Sequence, residues 1–228
     1  DCIMLTTRDN FLYHEMMSHP ALFTHPDPKR VVIIGGGDCG TLREVLRHPG
    51  VRQVTQIDID ERVTRLSETY FPELCESNDD PRAELLFIDG IKWMQQAEAA
   101  SIDVIIVDST DPVGPGEVLF SEEFYRACHD ALQPDGLIVQ QSESPLLHRA
   151  LLKRIRHDMV SAGFAGTRTL QFPQPVYPGG WWSATMAMSL SAWPEPRYAE
   201  MGKIAGMRYF NRAIFDAALA LPAFMTEE

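Results

Sequence analysis

Residues 31–47 read VVIIGGGDCGTLREVLR, and this stretch decides the fold class. The apolar run 31–34 predicts a buried strand, and a helical pattern over 41–47 follows the glycines directly. Gly35, Gly37 and Gly40 have GxGxxG spacing, which lets the backbone approach a ligand closely and points helix N-terminal amides at it. The stretch therefore predicts a nucleotide-binding turn between a strand and a helix.

A carboxylate inside this turn, Asp38, indicates the charge of the ligand. Phosphate oxygens would be repelled by Asp38 at short range in a partly dry site, whereas a cationic ligand would be attracted. An ordinary turn in which Asp38 caps the helix is the alternative, because such glycine motifs often match by chance. The turn alone leaves both interpretations open.

A second acidic segment, DSTDPVGPGE at residues 108–117, follows another apolar run at 102–107. Its two aspartates, Asp108 and Asp111, lie close together where the predicted strand ends. Ligands of open α/β sheets bind beyond the carboxyl ends of the strands where strand order reverses, between the first and fourth strands. The Asp38 turn follows the first predicted strand, and the Asp108 segment follows the fourth. A turn-capping role suits Asp111 but does not explain the whole set.

Strand and helix patterns alternate along the rest of the chain. Further strands are predicted at 53–57, 84–88, 136–141, 165–171 and 183–190, and helices at 61–70, 91–99, 121–132, 147–162 and 214–221. This alternation predicts an α/β protein with a seven-stranded, methyltransferase-like Rossmann fold, in which a mostly parallel sheet carries helices on both faces. No helix separates the last two strands, so we expect them to pair antiparallel at the far edge of the sheet.

The composition indicates one main domain with small extensions. The formal net charge of -12, without clustered Lys or Arg, argues against binding to nucleic acid or an anionic membrane. The cysteines Cys2, Cys39, Cys75 and Cys128 and the scattered histidines lack metal-ligand spacing, which predicts reduced thiols and no metal site. No apolar run is long enough to span a bilayer and no signal peptide is visible, so we predict a cytoplasmic location.

Motifs along nearly the whole chain resemble the polyamine aminopropyltransferase family, and within it the bacterial spermidine synthases. They are YHEM at 13–16, the glycine turn with LREV at 42–45, DSTDPVGPGE at 108–117, YPG at 177–179 and RYFN at 208–211. The resemblance implies transfer of an aminopropyl group from decarboxylated S-adenosylmethionine to putrescine, which gives spermidine and 5'-methylthioadenosine. Decarboxylated S-adenosylmethionine is then a cosubstrate, and no cofactor is tightly bound. The family also implies a homodimer or homotetramer.

The resemblance implies roles for individual residues. Asp108 matches the proton acceptor of the family. The amine site is implied to contain Tyr13, His14, Asp38, Ser109, Thr110, Asp111 and Tyr177. The nucleoside site is implied to contain Gly35, Gly37, Asp58, Asp89, Gly90 and Pro115.

The chain departs from the family pattern at Cys39, at Asp58 and at its start. Cys39 replaces a usual Gly, and we expect the turn to accommodate it without a positive φ. Asp58 replaces a usual Glu on the ribose hydroxyls, which shortens its reach. The family's N-terminal β-rich segment would precede Asp1, so residues 1–30 are expected to be the end of that segment and a linking helix, with the catalytic domain at 31–228. We expect this chain to assemble less firmly than a protein with the whole segment.

Other functions stay open at this point. A putrescine N-methyltransferase that uses intact S-adenosylmethionine shares this fold, although Asp38 would repel the carboxylate of that molecule. An inactive relative that binds only polyamine or nucleoside is disfavoured by the presence of both Asp108 and Asp111. Asp38 also makes an NAD dehydrogenase the weakest alternative.

The acceptor is open as well, because cadaverine, agmatine or spermidine would need only a differently shaped channel. Glu143 lies just past the fifth predicted strand. It either holds the remote ammonium of the acceptor or is a solvated loop acid.

Overall fold

A seven-stranded sheet forms the centre of the computed structural model, which describes residues 3–226 and, of Pro115, only the backbone. The strands are β1 (Arg30–Gly35), β2 (Gln53–Ile57), β3 (Ala83–Leu86), β4 (Ile102–Asp108), β5 (Leu132–Gln141), β6 (Gly166–Pro173) and β7 (Trp181–Met188). Their order across the sheet is β3-β2-β1-β4-β5-β7-β6. The strands β1 to β5 pair parallel, and β7 pairs antiparallel with both β5 and β6. The predicted fold class and the antiparallel pairing of the last two strands are confirmed.

Helices cover both faces of this sheet. They are α1 (Asn10–Thr24), α2 (Gly40–Leu46), α3 (Glu61–Tyr70), α4 (Gly90–Gln95), α5 (Glu122–Ala131), α6 (Arg149–Ser161), α7 (Tyr198–Met201), α8 (Arg212–Ala218) and α9 (Ala223–Thr226). Short 3-10 segments span Gly114–Phe120 and Pro178–Gly180. Within residues 3–226, none of the helices combines the length and the apolar composition that a membrane crossing needs.

The central strands are buried on both faces, which explains their unbroken apolar sequences. In β1, Val31 and Ile33 join a hydrophobic cluster with α1 and α2. Val32 and Ile34 join a second cluster, which contains α5 and α6. Each face of the strand therefore supports one layer of helices, and the strand ends are held rigidly.

Some elements differ from their predicted bounds. The strand β5 begins at Leu132, before the predicted start at 136, because Leu132 pairs with Ile102 across a register shift. The tail helix α8 begins at Arg212 because the Asn211 side chain accepts a hydrogen bond from the Ile214 N–H at 3.0 Å. These differences lie at element ends and leave the topology unchanged.

Helix α1 is fixed by the C-terminal tail as well as by the sheet. The buried carboxylate of Glu15 accepts hydrogen bonds from the backbone N–H groups of Arg208, Tyr209 and Phe210 at 2.7, 2.9 and 2.7 Å. The guanidinium of Arg197 donates to two carbonyl oxygens near the C-terminal end of α1, at 3.0 and 2.8 Å. The YHEM motif is thereby fixed in the same core as the sheet, and the domain boundary near residue 30 stays a prediction.

Candidate active site

The Asp38 turn and the Asp108 segment meet at the carboxyl edge of the sheet, because β1 and β4 are direct neighbours. Gly35 at the end of β1 pairs with Asp108 at the end of β4. The Gly36 N–H donates to the Asp108 carbonyl oxygen at 2.8 Å. Gly35 has a φ of +84°, and a Cβ there would clash with the same carbonyl, so this close approach requires glycine. The predicted meeting of the first and fourth strands is confirmed.

Two hydroxyl groups hold the side-chain carboxylate of Asp108. Tyr13 in α1 donates to Oδ1 at 2.7 Å, and Thr41 in α2 donates to Oδ2 at 2.6 Å. Burial raises the pKa of Asp108, and the nearby charge of Asp38 raises it further. Asp108 is therefore fixed in position and binds a proton more readily than a carboxylate in water.

Asp38 and His14 form a pair beside Asp108. The His14 Nε2 lies 3.2 Å from Asp38 Oδ2, and the Gly40 N–H donates to Asp38 Oδ1 at 2.8 Å. Burial disfavours the charged form of both groups, but their mutual attraction outweighs it, so the pKa of Asp38 is lowered and the pKa of His14 is raised. The hydrogen bond from the Gly40 N–H accounts for only one Asp38 oxygen. The other oxygen is held by His14, so the turn is more than an ordinary capped turn.

Gly40 makes room for this pair. The ring of His14 is fully buried and packs so closely over Gly40 that a Cβ there would overlap the imidazole. Gly40, the third glycine of the motif, is therefore needed for the His14 side chain to fit as well as for the turn itself.

Cys39 adopts a backbone conformation that we did not expect. Its φ is +67°, so the prediction that the turn would avoid a positive φ is wrong. This left-handed conformation costs a residue other than glycine roughly 1–2 kcal/mol. The turn imposes it, because the hydrogen bond from Gly40 to Asp38 closes the chain around Cys39. The side chain is fully buried, with Sγ 3.7 Å from Gln56 Nε2, and burial raises the pKa of the thiol to about 12.

Asp58 follows β2 directly and lies against the glycine turn. Its carboxylate accepts hydrogen bonds from the backbone N–H groups of Gly37 and Asp60, the second at 2.9 Å. Burial raises the pKa of Asp58 more than these hydrogen bonds lower it. The turn and the end of β2 therefore form one surface.

Asp89 and Gly90 lie at the same edge, after the neighbouring strand β3. Asp89 caps α4, where its Oδ1 accepts from the N–H groups of Ile91 and Lys92 at 3.0 and 3.3 Å. Gly90 is the first residue of that helix. The side chain of Pro115, also predicted for the nucleoside, is outside the described part of the chain.

Aromatic side chains form a wall on the other side of Asp108. The ring of Tyr177 meets those of Tyr13 and Trp182 edge-on, with centroids 5.8 and 4.6 Å away. Its hydroxyl donates to the Met4 carbonyl oxygen at 3.1 Å. The predicted late loop therefore does reach Asp108, through Tyr13.

Ser109, Thr110 and Asp111 lead from Asp108 toward the surface. The hydroxyl of Ser109 is buried and has no hydrogen-bond partner within the protein. Thr110 and Asp111 are exposed, and the Thr110 carbonyl oxygen accepts from the Gln141 side chain at 3.4 Å. This segment thus offers both a buried polar atom and an outer carboxylate near the proposed base.

Sequence reasoning missed Thr41 and could not place Glu143. Thr41 follows Asp38 by three residues in the first turn of α2, and that spacing is the signal that could have identified it. Glu143 is only 2% exposed, so the interpretation as a solvated loop acid does not hold. No local pattern in the sequence around Glu143 indicates that burial.

Within residues 3–226, no group of three or more His, Cys, Asp or Glu side chains could hold a metal ion. Cys39, Cys75 and Cys128 are free thiols, and Cys2 lies outside the described residues.

Comparisons with known proteins add to this geometry. The family model described as "Spermine/spermidine synthase domain" matches residues 10–193. The polyamine aminopropyltransferase of Methylococcus capsulatus is 61% identical over 223 residues, which cover 98% of this chain and 78% of that protein. The corresponding protein of Thioalkalivibrio sulfidiphilus is 61% identical over 229 residues, which cover 100% of this chain and 81% of the relative.

Solved structures are similar along the same length. A spermidine synthase in complex with the transition-state analogue AdoDATO has a TM-score of 0.93 at 37% identity, covering 99% of this chain and 78% of that one. The spermidine synthase of Thermotoga maritima has a TM-score of 0.91 at 36% identity, covering 99% of this chain and 77% of that one.

Proposed function

The chain belongs to the spermine/spermidine synthase family, and from this membership we propose how its site works. It is a polyamine aminopropyltransferase whose donor is decarboxylated S-adenosylmethionine. We propose that putrescine is the acceptor, so that the products are spermidine and 5'-methylthioadenosine. The alternatives of a putrescine N-methyltransferase and an inactive binding protein have no support among the relatives described above.

The observation that carries the mechanism is the pair of half-buried carboxylates, Asp38 and Asp108, where the adjacent strands β1 and β4 end. Both substrates are cations, and their removal from water is costly unless negative charge meets them. In our proposal Asp38 and His14 receive the ammonium of the donor's aminopropyl group. Intact S-adenosylmethionine carries a carboxylate there, which Asp38 would repel.

We assign the nucleoside to the opposite half of the edge. Its binding residues are Gly35, Gly37, Asp58, Asp89, Gly90 and Pro115. Asp58 would accept hydrogen bonds from the ribose hydroxyl groups. The hydrogen bonds that its carboxylate accepts from the backbone favour one side-chain orientation. Asp89 and Gly90 at the start of α4 would meet the adenine.

We assign the proton transfer to Asp108. An alkylammonium with a pKa of about 10.4 must lose a proton before it attacks, which costs on the order of 4 to 5 kcal/mol near neutral pH. Asp108 takes that proton, the neutral nitrogen forms a bond to the methylene carbon as the bond from that carbon to sulfur breaks, and the new secondary amine leaves as an ammonium beside the neutral thioether. Tyr13 and Thr41 fix both carboxylate oxygens, and this fixed orientation contributes to the acceleration.

The remaining amine-site residues shape the channel in this proposal. Ser109, Thr110 and Asp111 would line the path of the acceptor, and Tyr177 would form its aromatic wall. Buried Glu143 would receive the remote ammonium. A homodimer or homotetramer and a cytoplasmic location also stay proposals, which rest on the resemblance to the family and on the sequence.

Incubation with putrescine and decarboxylated S-adenosylmethionine, labelled in the aminopropyl group, tests the function. We expect labelled spermidine and unlabelled methylthioadenosine in equal amounts by mass spectrometry. A parallel incubation with intact S-adenosylmethionine should give no methylputrescine. Methylputrescine without spermidine would overturn the proposal in favour of a methyltransferase.

A further inference from the structure

Thr41 is a fully buried residue whose side chain reaches the proposed base. It is the second residue of α2, and its hydroxyl donates to Asp108 Oδ2 at 2.6 Å. A threonine inside a helix often donates to the carbonyl oxygen four residues earlier. For Thr41 that carbonyl belongs to Gly37, which precedes the helix and accepts a hydrogen bond from the Thr64 hydroxyl at 2.9 Å. The Thr41 hydroxyl is therefore available to Asp108.

The two oxygens of the Asp108 carboxylate lie on different sides of the site. Oδ2 lies over the glycine turn, where a Cβ added at Gly36 would be 3.1 Å from it. Oδ1 accepts from Tyr13, whose ring meets Tyr177 in the aromatic wall. In the proposed function the nucleoside binds along the turn, and the acceptor passes the aromatic wall. Oδ1 then faces the acceptor, and Oδ2 is the oxygen that Thr41 holds.

The surroundings of Asp108 make its charge depend on these hydrogen bonds. Its titratable neighbours within the described residues are Tyr13 and His14 of α1, Asp38 of the turn and Tyr177 of the late loop. The charge of Asp38 disfavours the ionised form of Asp108, whereas a donated hydrogen bond favours it. Thr41 supplies such a donor from α2 without a charge and without titrating itself.

We propose that Thr41 is a positioning residue that keeps Asp108 ionised through its hydrogen bond to Oδ2, so that Oδ1 is free to take the proton of the acceptor. This inference rests on the proposed function and deepens it. In the transfer, an N–H bond of the acceptor's ammonium breaks, and an O–H bond forms at the lone pair of Oδ1 that Tyr13 does not use. A proton already on Oδ2 would prevent that transfer, because a carboxylate takes one proton.

The pH dependence of kcat/KM for putrescine in Thr41→Val and Thr41→Ser tests the proposal. Valine has nearly the shape of threonine but no hydroxyl, whereas serine keeps the hydroxyl. Loss of the hydrogen bond to the charged form raises the pKa of Asp108, so the ionised base is lost at a higher pH as pH falls. We expect the acidic limb of Thr41→Val to lie about one pH unit above that of the parent, which is about tenfold in kcat/KM below the limb. Thr41→Ser should keep the parental limb.

Kinetics above the acidic limb separate this role from substrate binding. Thr41 holds the oxygen that faces the turn, so the KM for putrescine should match that of the parent in both variants. The kcat of Thr41→Val should fall less there than kcat/KM falls below the limb, because Tyr13 still orients Oδ1. Calorimetric titration with methylthioadenosine should give the parental affinity, since the glycine turn keeps its shape.

Carbon-13 NMR of protein with labelled aspartate carboxyl groups measures the protonation of Asp108 without turnover. The signal that disappears in Asp108→Asn identifies this carboxyl group. Its midpoint should rise by about one pH unit in Thr41→Val and stay parental in Thr41→Ser. Thr64→Val is the matched control, because it removes a buried hydroxyl that bonds the same turn without touching Asp108, and its midpoint should also stay parental. Melting curves monitor folding, and Thr41→Ala, which also lacks the hydroxyl, replaces Thr41→Val if the valine variant is unfolded.

An unchanged limb and midpoint in Thr41→Val would overturn the proposal. An equal upward shift in Thr41→Ser or in Thr64→Val would overturn it as well, because the cause would then be a general loosening of the turn. A rise in the KM for putrescine above the limb would show that Thr41 acts on the acceptor itself. A failure of the proposed function differs from all of these, because the parent would then transfer no aminopropyl group while the NMR midpoints still compare Thr41→Val with the parent.

Discussion

Replacement of Asp108 by Asn should keep the fold and lower turnover by roughly two to four orders of magnitude, the usual range for loss of a positioned proton acceptor. The structure indicates why the fold survives. Tyr13 and Thr41 donate to the two carboxylate oxygens, and an amide preserves one acceptor while the other hydroxyl rotates to accept from the new NH2 group. Exchange of one such hydrogen bond costs about 1 kcal/mol. The Asn variant also lacks the carboxylate charge, whose ionised form burial disfavours, and this offsets part of that cost.

The pH dependence gives a second expectation for the same variant. Because the pKa of Asp108 is raised, its ionised form is lost as pH falls through that raised value, and kcat/KM of the parent should fall with it. The Asn variant should lack this acidic limb. Asp111 lies further out on an exposed segment, so Asp111→Asn should raise the KM for putrescine more than it lowers turnover.

Steady-state kinetics with varied putrescine over a pH series, with a melting curve for each protein, measure these effects. Calorimetric titration with methylthioadenosine should give the same nucleoside affinity for Asp108→Asn and the parent. Near-parental turnover of Asp108→Asn would refute the reasoning, since it would mean that the amine arrives already neutral and that another group is the base.

Further expectations concern discrimination and stability. Asp38→Asn should narrow the preference for decarboxylated over intact S-adenosylmethionine, and each tenfold loss of preference corresponds to about 1.4 kcal/mol. Calorimetric titration of both proteins with both molecules measures the affinities. Equal affinities of the parent for the two molecules would contradict the role of Asp38. Glu15→Gln should lower the free energy of unfolding in urea by about 2 kcal/mol, because the amide leaves at least one of three backbone N–H groups unpaired. Glu98→Gln, at an exposed position, is the control, and an unchanged midpoint for Glu15→Gln would count against the tail contact. In the same assay, Cys39→Val should lower the free energy of unfolding more than Cys39→Gly does, because a β-branched residue resists the positive φ that glycine adopts freely. The reverse order would show that packing of the thiol dominates.

The sequence predicted the centre of the site because a few general rules connect it to the fold. Strand and helix patterns alternate, parallel strands end at one edge, and strand order reverses between the first and fourth strands. These rules alone bring Asp38 and Asp108 together, and the structure pairs the ends of their strands directly. The roles of the separate residues came from the resemblance to the family and stay proposals.

The features that could not be predicted depend on contacts between distant parts of the chain. Glu143 is buried where Ser183 of β7 and His148, the residue before α6, contact it, and the pairing of β7 with β5 cannot be read from the residues around Glu143. The positive φ of Cys39 depends on how the Asp38 side chain closes the turn, which residue type alone does not determine. Glu15 finds its partners 193 to 195 residues later, far beyond any local pattern.

The contact between Glu15 and the tail also sets an order in time during synthesis. Helix α1, which carries Tyr13 and His14, leaves the ribosome early, whereas the N–H groups that receive its carboxylate are made 193 to 195 residues later. At ~5–20 residues per second this interval lasts roughly 10–40 s. Throughout it, the Glu15 carboxylate is solvated and α1 lacks one of its anchors. A nascent or C-terminally clipped chain that already contains Asp38 and Asp108 therefore holds α1, and with it Tyr13 and His14, less firmly against them.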